Sequence, residues 1–218
     1  MTEPTTSTEP LRIGLLRASR IARESIIAPA ADGGLRLVAV AARNRDRAAR
    51  FAADNGIERV ESYEELLADP DVEVVYNALP NSLHGPWNLA AVQAGKHVLS
   101  EKPFASNAEE ARQVAAVTAR TDRVVFDAFH YRYHPIFNRF LAAITSAEIG
   151  AVKSVHVRTT MPPPGDDDLR WSLPLAGGAM MDLGCYALHV VSTVADAVGG
   201  IEPVFPSGRH TSTEPISH

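Results

Sequence analysis

Short apolar runs alternate with amphipathic stretches along most of the chain, and the hydrophobic period switches between 2 and 3.6 at each change. Residues 11–16 read as a strand containing one glycine, followed by a helical pattern over 19–31. Residues 35–41 alternate as a strand, 47–54 are Ala-rich and helical, and Val60 is a brief extended point. Ser62-Tyr63-Glu64-Glu65 has the form of a capping box opening a helix to Ala68, which Asp69-Pro70 ends. A strand over 72–78, a helix over 83–94 and a strand over 96–100 follow. Ser106-Asn107 then starts a long Ala-rich helix to Arg120, and 123–129 read as a further strand. Strand and helix in alternation at short spacing predict a parallel sheet with helices on both faces. The fold class expected is α/β, with a Rossmann-like doubly wound domain over residues 11–128.

Beyond that point the rhythm changes. Residues 137–145 are helical, and 151–159 alternate strictly enough to predict a strand with one buried face. Residues 161–168 read as a loop and 177–198 as a helix. Residues 129–200 are therefore expected to form an incomplete α+β substrate domain. The lead-in 1–10 and the tail 201–218 are polar and aperiodic, and both are expected to be unstructured. A one-strand sheet cannot stand by itself. Either a partner supplies the remainder or the chain is a truncated product, and truncation, with an apolar face left exposed, is the reading taken.

Composition narrows the function classes. Apolar content of 45% with 22% charged residues is that of a soluble globular protein. A net charge of −5 gives no reason to expect nucleic acid or an anionic membrane as partner. No stretch is expected to approach the apolar length of a membrane span. The single Cys185 rules out an intrachain disulfide and suits a cytoplasmic setting. Asp166-Asp167-Asp168 reads as a solvated loop, and His130 and His134 lack metal-site spacing, so no metal is expected.

Two features bear on a cofactor. A dinucleotide fold wants glycines in its first strand-to-helix turn, where the backbone approaches a pyrophosphate. Here the segment Ile13-Gly14-Leu15-Leu16-Arg17-Ala18-Ser19-Arg20-Ile21-Ala22 places Arg17 at the first glycine, Ser19 at the second and Ala22 at the third. Gly14, Ser19 and Ile21 are candidate cofactor contacts. Arg17 strains the turn by about 1 kcal/mol if φ there is positive, and its charge either meets a phosphate or is solvated. The second strand is followed by Arg43-Asn44-Arg45, with no acid before Asp46. An acid here would hold a ribose 2′-hydroxyl, whereas arginine pairs with a 2′-phosphate. Arg43 and Asn44 therefore favour NADP, with NAD possible.

The catalytic candidates come from two separated stretches. Glu101-Lys102-Pro103 ends an apolar run where a strand gives way to a loop, the place where open α/β sheets bind ligands. Asp182 is the only charged residue between Trp171 and Ala195, so its carboxylate needs a cationic or hydrogen-bonding partner. Asp182, Tyr186 and His189 fall at helical spacing on one face.

Taken together, Tyr76-Asn77-Ala78-Leu79-Pro80-Asn81-Ser82-Leu83-His84, the stretch from Ala94 to Pro103, and Asp182-Leu183-Gly184-Cys185-Tyr186 give the chain its family likeness. It resembles the glucose–fructose oxidoreductase/inositol dehydrogenase-like (Gfo/Idh/MocA) family, nearest in look to the dihydrodiol and NADP-dependent xylose dehydrogenases. The resemblance implies that Leu79, Asn81 and His84 lie along the cofactor, with Glu101 and Lys102 near the nicotinamide. Ala128-Phe129-His130-Tyr131-Arg132 resembles the segment crossing into the second domain, with Arg132 close to the cofactor. The implied activity is hydride transfer between a nicotinamide and the hydroxyl-bearing carbon of a sugar or cyclic diol. Lys102 would stabilise charge on that oxygen, Tyr186 would move the proton with its phenol acidified by the ammonium, and Asp182 would hold Lys102 or the substrate. A homo-oligomer is compatible with this reading. The alternative is a non-catalytic cofactor-binding sensor on the same fold, which Arg17 favours and the retained Lys102, Asp182 and Tyr186 oppose.

Overall fold

Successive residues of a strand point to opposite faces of a sheet, and the apolar runs of this chain are buried on both. The computed structural model describes residues 9–200; the polar segments 1–8 and 201–218, read above as unstructured, lie outside the described residues. Six strands form one sheet: β1 (Arg12–Leu16), β2 (Arg36–Ala41), β3 (Arg59–Glu61), β4 (Val74–Asn77), β5 (His97–Ser100) and β6 (Val125–Asp127). Their spatial order is β3-β2-β1-β4-β5-β6 and every pairing is parallel. The winding direction reverses between β1 and β4, so a crevice opens above the C-terminal ends of those two strands. Leu16, Val38 and Val75 pack on one face with Leu66, Leu67, Ala91 and Val92; Leu15, Val40 and Tyr76 pack on the other with Ala22, Ile26, Phe51 and Ala52.

The helices of this half are α1 (Ala28–Gly33, led by a π turn Arg23–Ile27), α2 (Arg45–Asn55), α3 (Tyr63–Ala68), α4 (His84–Gln93) and α5 (Ala108–Thr118). Three start on local caps. The side chains of Asn44 and Asn107 accept from the backbone N–H groups of Arg47 and Glu110, and Ser62 and Glu65 make the expected reciprocal capping box. Gly14 belongs to this packing, since a Cβ there would come within 2.9 Å of Leu66 Cδ2. Lys96 is buried as well: its ammonium donates to the carbonyls of Asp69 (2.5 Å) and Val72 (2.7 Å), tying the end of α3 to the start of β5.

The second half holds α6 (Pro135–Thr145) and α7 (Cys185–Val198), packed on each other. Residues 151–159, expected to be a strand, form no ladder. Val152, Val155 and Val157 are half-buried between exposed neighbours, so the alternation marks which side chains turn inward. A strand also needs a neighbour for its N–H and C=O groups, and none of the described residues provides one. A second expectation is corrected too. The run Leu173–Val198 is, by length and composition, apolar enough to cross a membrane. It nevertheless carries Asp182, whose carboxylate is paired with a side chain from the sheet domain.

Two residues at the sheet's C-terminal edge stand in costly states. Arg17 has φ 91°, the left-handed region that favours glycine. Asp127, at the end of β6, has a buried Oδ1 without a hydrogen-bond partner among the described residues, and burial, reinforced by Glu101, raises its carboxyl pKa to about 7. Arg17→Gly is expected to raise stability by about 1 kcal/mol in urea denaturation, with Arg17→Ala giving none of that gain because it keeps a Cβ. Because Asp127 binds its proton more tightly folded than unfolded, stability should fall as pH rises from about 4 towards about 7 and level off above. Urea midpoints measured at pH 5 and pH 8 should show this fall in the parent chain and a smaller one in Asp127→Asn; equal slopes in the two would count against the assignment.

Candidate active site

The site is built on the ends of β4 and β5. Asn77 closes β4 fully buried, and its amide donates to Asn88 Oδ1 (2.8 Å) and accepts from the Leu79 N–H (3.2 Å). Asn88, on α4, donates in turn to Ser100 Oγ (2.9 Å) and the Phe104 carbonyl (3.2 Å). His84 sits 1% exposed with Nδ1 2.6 Å from the Pro103 carbonyl and Nε2 2.8 Å from the Leu79 carbonyl. Burial lowers its pKa, and the two carbonyls oppose that shift. The loop after β4 is thereby fastened to the Glu101-Lys102-Pro103 turn after β5 through buried polar groups, with His84 donating to one of its two carbonyls as a neutral imidazole and to both when protonated.

That turn presents its two charges differently. Glu101 Oε1 accepts from the Tyr76 hydroxyl at 2.7 Å. Lys102 Nζ donates to the Asp182 carbonyl (2.7 Å) and to Asp182 Oδ1 (3.1 Å), and stands 5.0 Å from the centre of the Tyr186 ring. An ammonium has three N–H groups, so one remains for another acceptor. Asp182 lies in a π turn, Met180–Gly184, that leads directly into α7, and this turn brings both Asp182 and Tyr186 to Lys102. His189 shares a face with Tyr186, both lying against Phe129 and Tyr131, but it stacks on Phe129 (centroids 4.0 Å) and meets the Tyr131 hydroxyl at 2.5 Å rather than reaching Lys102. The expected acidification of Tyr186 is corrected. Burial first, then the surrounding charge led by Glu101, pushes its phenol up to about 12, and Lys102 faces the ring.

These groups border a cleft of about 1200 Å³. Of the cofactor candidates, Ser19, Ile21, Leu79, Asn81, His84, Glu101 and Lys102 line it. Asn81 uses its side-chain amide on the Ala176 carbonyl (2.9 Å), holding the segment before α7 over the cleft. Gly14, by contrast, faces Leu66 and Val72 in the core. Arg132 turns outward, donating to Asn138 Oδ1 (3.3 Å) with its guanidinium over Tyr133. Asn44 caps α2, and Arg43 lies near enough to Arg17 to depress its pKa together with Arg47, although burial is the larger cause. Arg17 itself borders the cleft, with Nη1 3.5 Å from the Ala78 carbonyl.

Sequence reading did not single out Arg170 or Asp127, and it took Asp168 as part of a solvated loop; Arg170 and Asp168 instead pair and line the same cleft. Arg170 immediately precedes the stretch in which Asp182 is the lone charge, and that position was the available signal.

Whether the residues at the first turn suit a phosphorylated dinucleotide can be judged from their own state. Ser19 Oγ is buried without a hydrogen-bond partner among the described residues, at the start of the first helix. Arg17, Arg43 and Arg47 make no ion pair among the described residues, and the other two act against the charge of the half-buried Arg17. An orphaned hydroxyl and converging guanidinium groups are a donor set that fits phosphate.

Comparison with known proteins agrees with this arrangement. The profile of the Gfo/Idh/MocA oxidoreductase family, NAD-binding Rossmann fold, matches residues 11–129, and that of the Gfo/Idh/MocA C-terminal domain matches residues 137–212. D-xylose 1-dehydrogenase (NADP(+)) 2 of Haloferax volcanii is 38% identical over 82% of this chain and 55% of its own length. Trans-1,2-dihydrobenzene-1,2-diol dehydrogenase of Xenopus laevis is 32% identical over 83% of this chain and 56% of its own. The solved 3-ketoreductase KijD10 of Actinomadura kijaniata, in complex with NADP and TDP-benzene, superposes with a TM-score of 0.79 at 33% identity, covering 85% of this chain and 57% of that one. The chain thus spans little more than half the length of each of these relatives. With both profiles matched in order and the sheet, loop and lysine turn arranged as described, the chain belongs to the Gfo/Idh/MocA oxidoreductase family.

Proposed function

We infer that this chain forms the cofactor-binding and catalytic part of an NADP-dependent oxidoreductase acting on a sugar or cyclic diol. The observation that carries the reading is the Lys102 ammonium, held by Asp182 through two of its N–H groups, with the third left for a substrate oxygen beside the Tyr186 ring. Relatives named as sugar and diol dehydrogenases and a 3-ketoreductase support the substrate class. The cofactor would supply the hydride-exchanging nicotinamide; Ser19 and the arginines at the first two strand ends would hold its phosphates, and Arg43 its 2′-phosphate.

The residues divide the remaining work. Lys102 donates to the substrate oxygen and stabilises the negative charge that grows on it. Asp182 keeps the ammonium aimed, and Glu101, restrained by Tyr76, braces the turn from below. Tyr186, with its pKa at about 12, is a proton donor at neutral pH in the reduction direction. A cytoplasmic setting is consistent with this activity and with the half-buried, unreactive Cys185, whose thiol pKa is raised by burial.

Assaying NADPH oxidation and NADP reduction over a panel of aldoses, ketosugars and cyclic diols should reveal turnover. Lys102→Ala and Tyr186→Phe should each cut it about 100-fold, with NADPH binding, followed by tryptophan fluorescence, retained. Cofactor binding without turnover of any panel member would discard the enzymatic reading in favour of a sensor. Cofactor choice has its own test: Arg43→Ala should weaken NADPH about tenfold or more and leave NADH affinity nearly unchanged.

A further inference from the structure

We propose that Arg170 is a positioning residue that fixes the Asp182 carboxylate by its second oxygen and through it aims the Lys102 ammonium into the cleft. The inference rests on the catalytic reading of Lys102 given above. Asp182 divides its two oxygens: Oδ1 accepts from Lys102 at 3.1 Å, and Oδ2 lies 3.7 Å from Arg170 Nη1. The opposite edge of the same guanidinium is locked by a two-pronged pair with Asp168, Nε to Oδ1 at 3.0 Å and Nη2 to Oδ2 at 2.9 Å. Asp168 also accepts from the Arg170 backbone N–H at 3.0 Å, and the arginine holds its carboxyl pKa down at about 2, so it stays charged throughout the working range. The result is a row of alternating charges, Asp168, Arg170, Asp182 and Lys102, with side chains 22%, 31%, 17% and 18% exposed.

The backbone registers the same two residues. The Arg170 carbonyl accepts from the Gly178 N–H (2.7 Å), and the Gly178 carbonyl accepts from the Asp182 N–H (3.0 Å). A Cβ on Gly177 would sit 2.5 Å from the Arg170 carbonyl oxygen and 2.8 Å from that of Ser172, so the paired glycines permit a backbone-to-backbone contact that no larger residue allows. Arg170 is thus held to the start of the helix bearing Asp182 by its main chain and to the carboxylate by its side chain. A surface arginine serving only Asp168 would need neither contact. Without a second cation, Asp182 would be free to rotate about its own side chain, and the Lys102 ammonium would keep only the main-chain carbonyl of the two bonds that fix its direction.

The test uses the full chain and the variants Arg170→Gln, Asp182→Asn and the double Arg170→Gln/Asp182→Asn, each checked for folding by circular dichroism. The chain has three lysines, of which Lys96 is buried and Lys153 is exposed. Acetylation of Lys102 by acetic anhydride can therefore be scored against Lys153 by peptide mass spectrometry, whether or not the protein turns over a substrate. Arg170→Gln should raise Lys102 labelling about threefold, and it should add nothing once Asp182 is Asn. On a sugar or diol that is turned over, Arg170→Gln should lower kcat about tenfold at unchanged KM for NADPH. Labelling that is unchanged or reduced in Arg170→Gln, or an effect that persists undiminished in the Asp182→Asn background, overturns the proposal. Absence of turnover in the parent chain with the labelling pattern as expected would instead remove the catalytic reading and leave the positioning contact standing.

Discussion

Everything in the cleft hangs on a set of amides and hydroxyls that never meet water. Asn77, Asn88 and Ser100 are fully buried and linked in sequence, and His84 bridges the two loops they anchor. Such groups are costly to bury and costly to unpair, so once satisfied they allow the two strand ends a single mutual arrangement. The direction in which Lys102 leaves the sheet is inherited from this network, because its turn begins one residue after Ser100 and ends at the carbonyl that His84 grips. The apolar faces of β4 and β5 supply stability; the polar seam between their ends supplies direction.

The second half of the site is arranged by charge. Lys102 reaches across to a helix start that is otherwise apolar and finds the only carboxylate there. An ion pair placed between two structural elements and shielded on most sides is a registration device more than a source of stability. The neighbouring carboxyl of Asp127 relieves crowding near Glu101 by holding its proton to about pH 7. Of the acids near the lysine, the structure thus spends its desolvation on keeping Asp182 directed and Asp127 neutral.

Much of this was legible in the amino-acid sequence, for identifiable reasons. The parallel, doubly wound sheet follows from apolar runs alternating with helical stretches, and the capping box at Ser62 announced α3 through residues that interact locally. The link between Lys102 and Asp182 was legible as well, because a single charge in an apolar stretch demands a partner. What could not be read were properties that depend on the third dimension. The valines at 152, 155 and 157 alternate with exposed residues, but such a pattern states which way a side chain turns and says nothing of a neighbouring ladder. The family resemblance implied Arg132 close to the cofactor, yet the short 3₁₀ turn His130–Tyr133 carries it outward. Tyr186 was expected to be acidified by a nearby cation; burial and several carboxylates outweigh one ammonium lying over its ring.

The π turn that carries Asp182 makes this region sensitive to length in a way it is not sensitive to composition. A π turn holds one residue more than the α-helical turn it replaces. Adding a further residue to Met180–Gly184 would exceed what one π turn takes up and rotate all that follows by about 100°. Tyr186 would swing away from Lys102 while every side chain the chemistry requires remained present. For divergence within such a chain, counting residues between Asp182 and Gly178 or Tyr186 is therefore as informative as identifying them: here spacing acts as a coordinate.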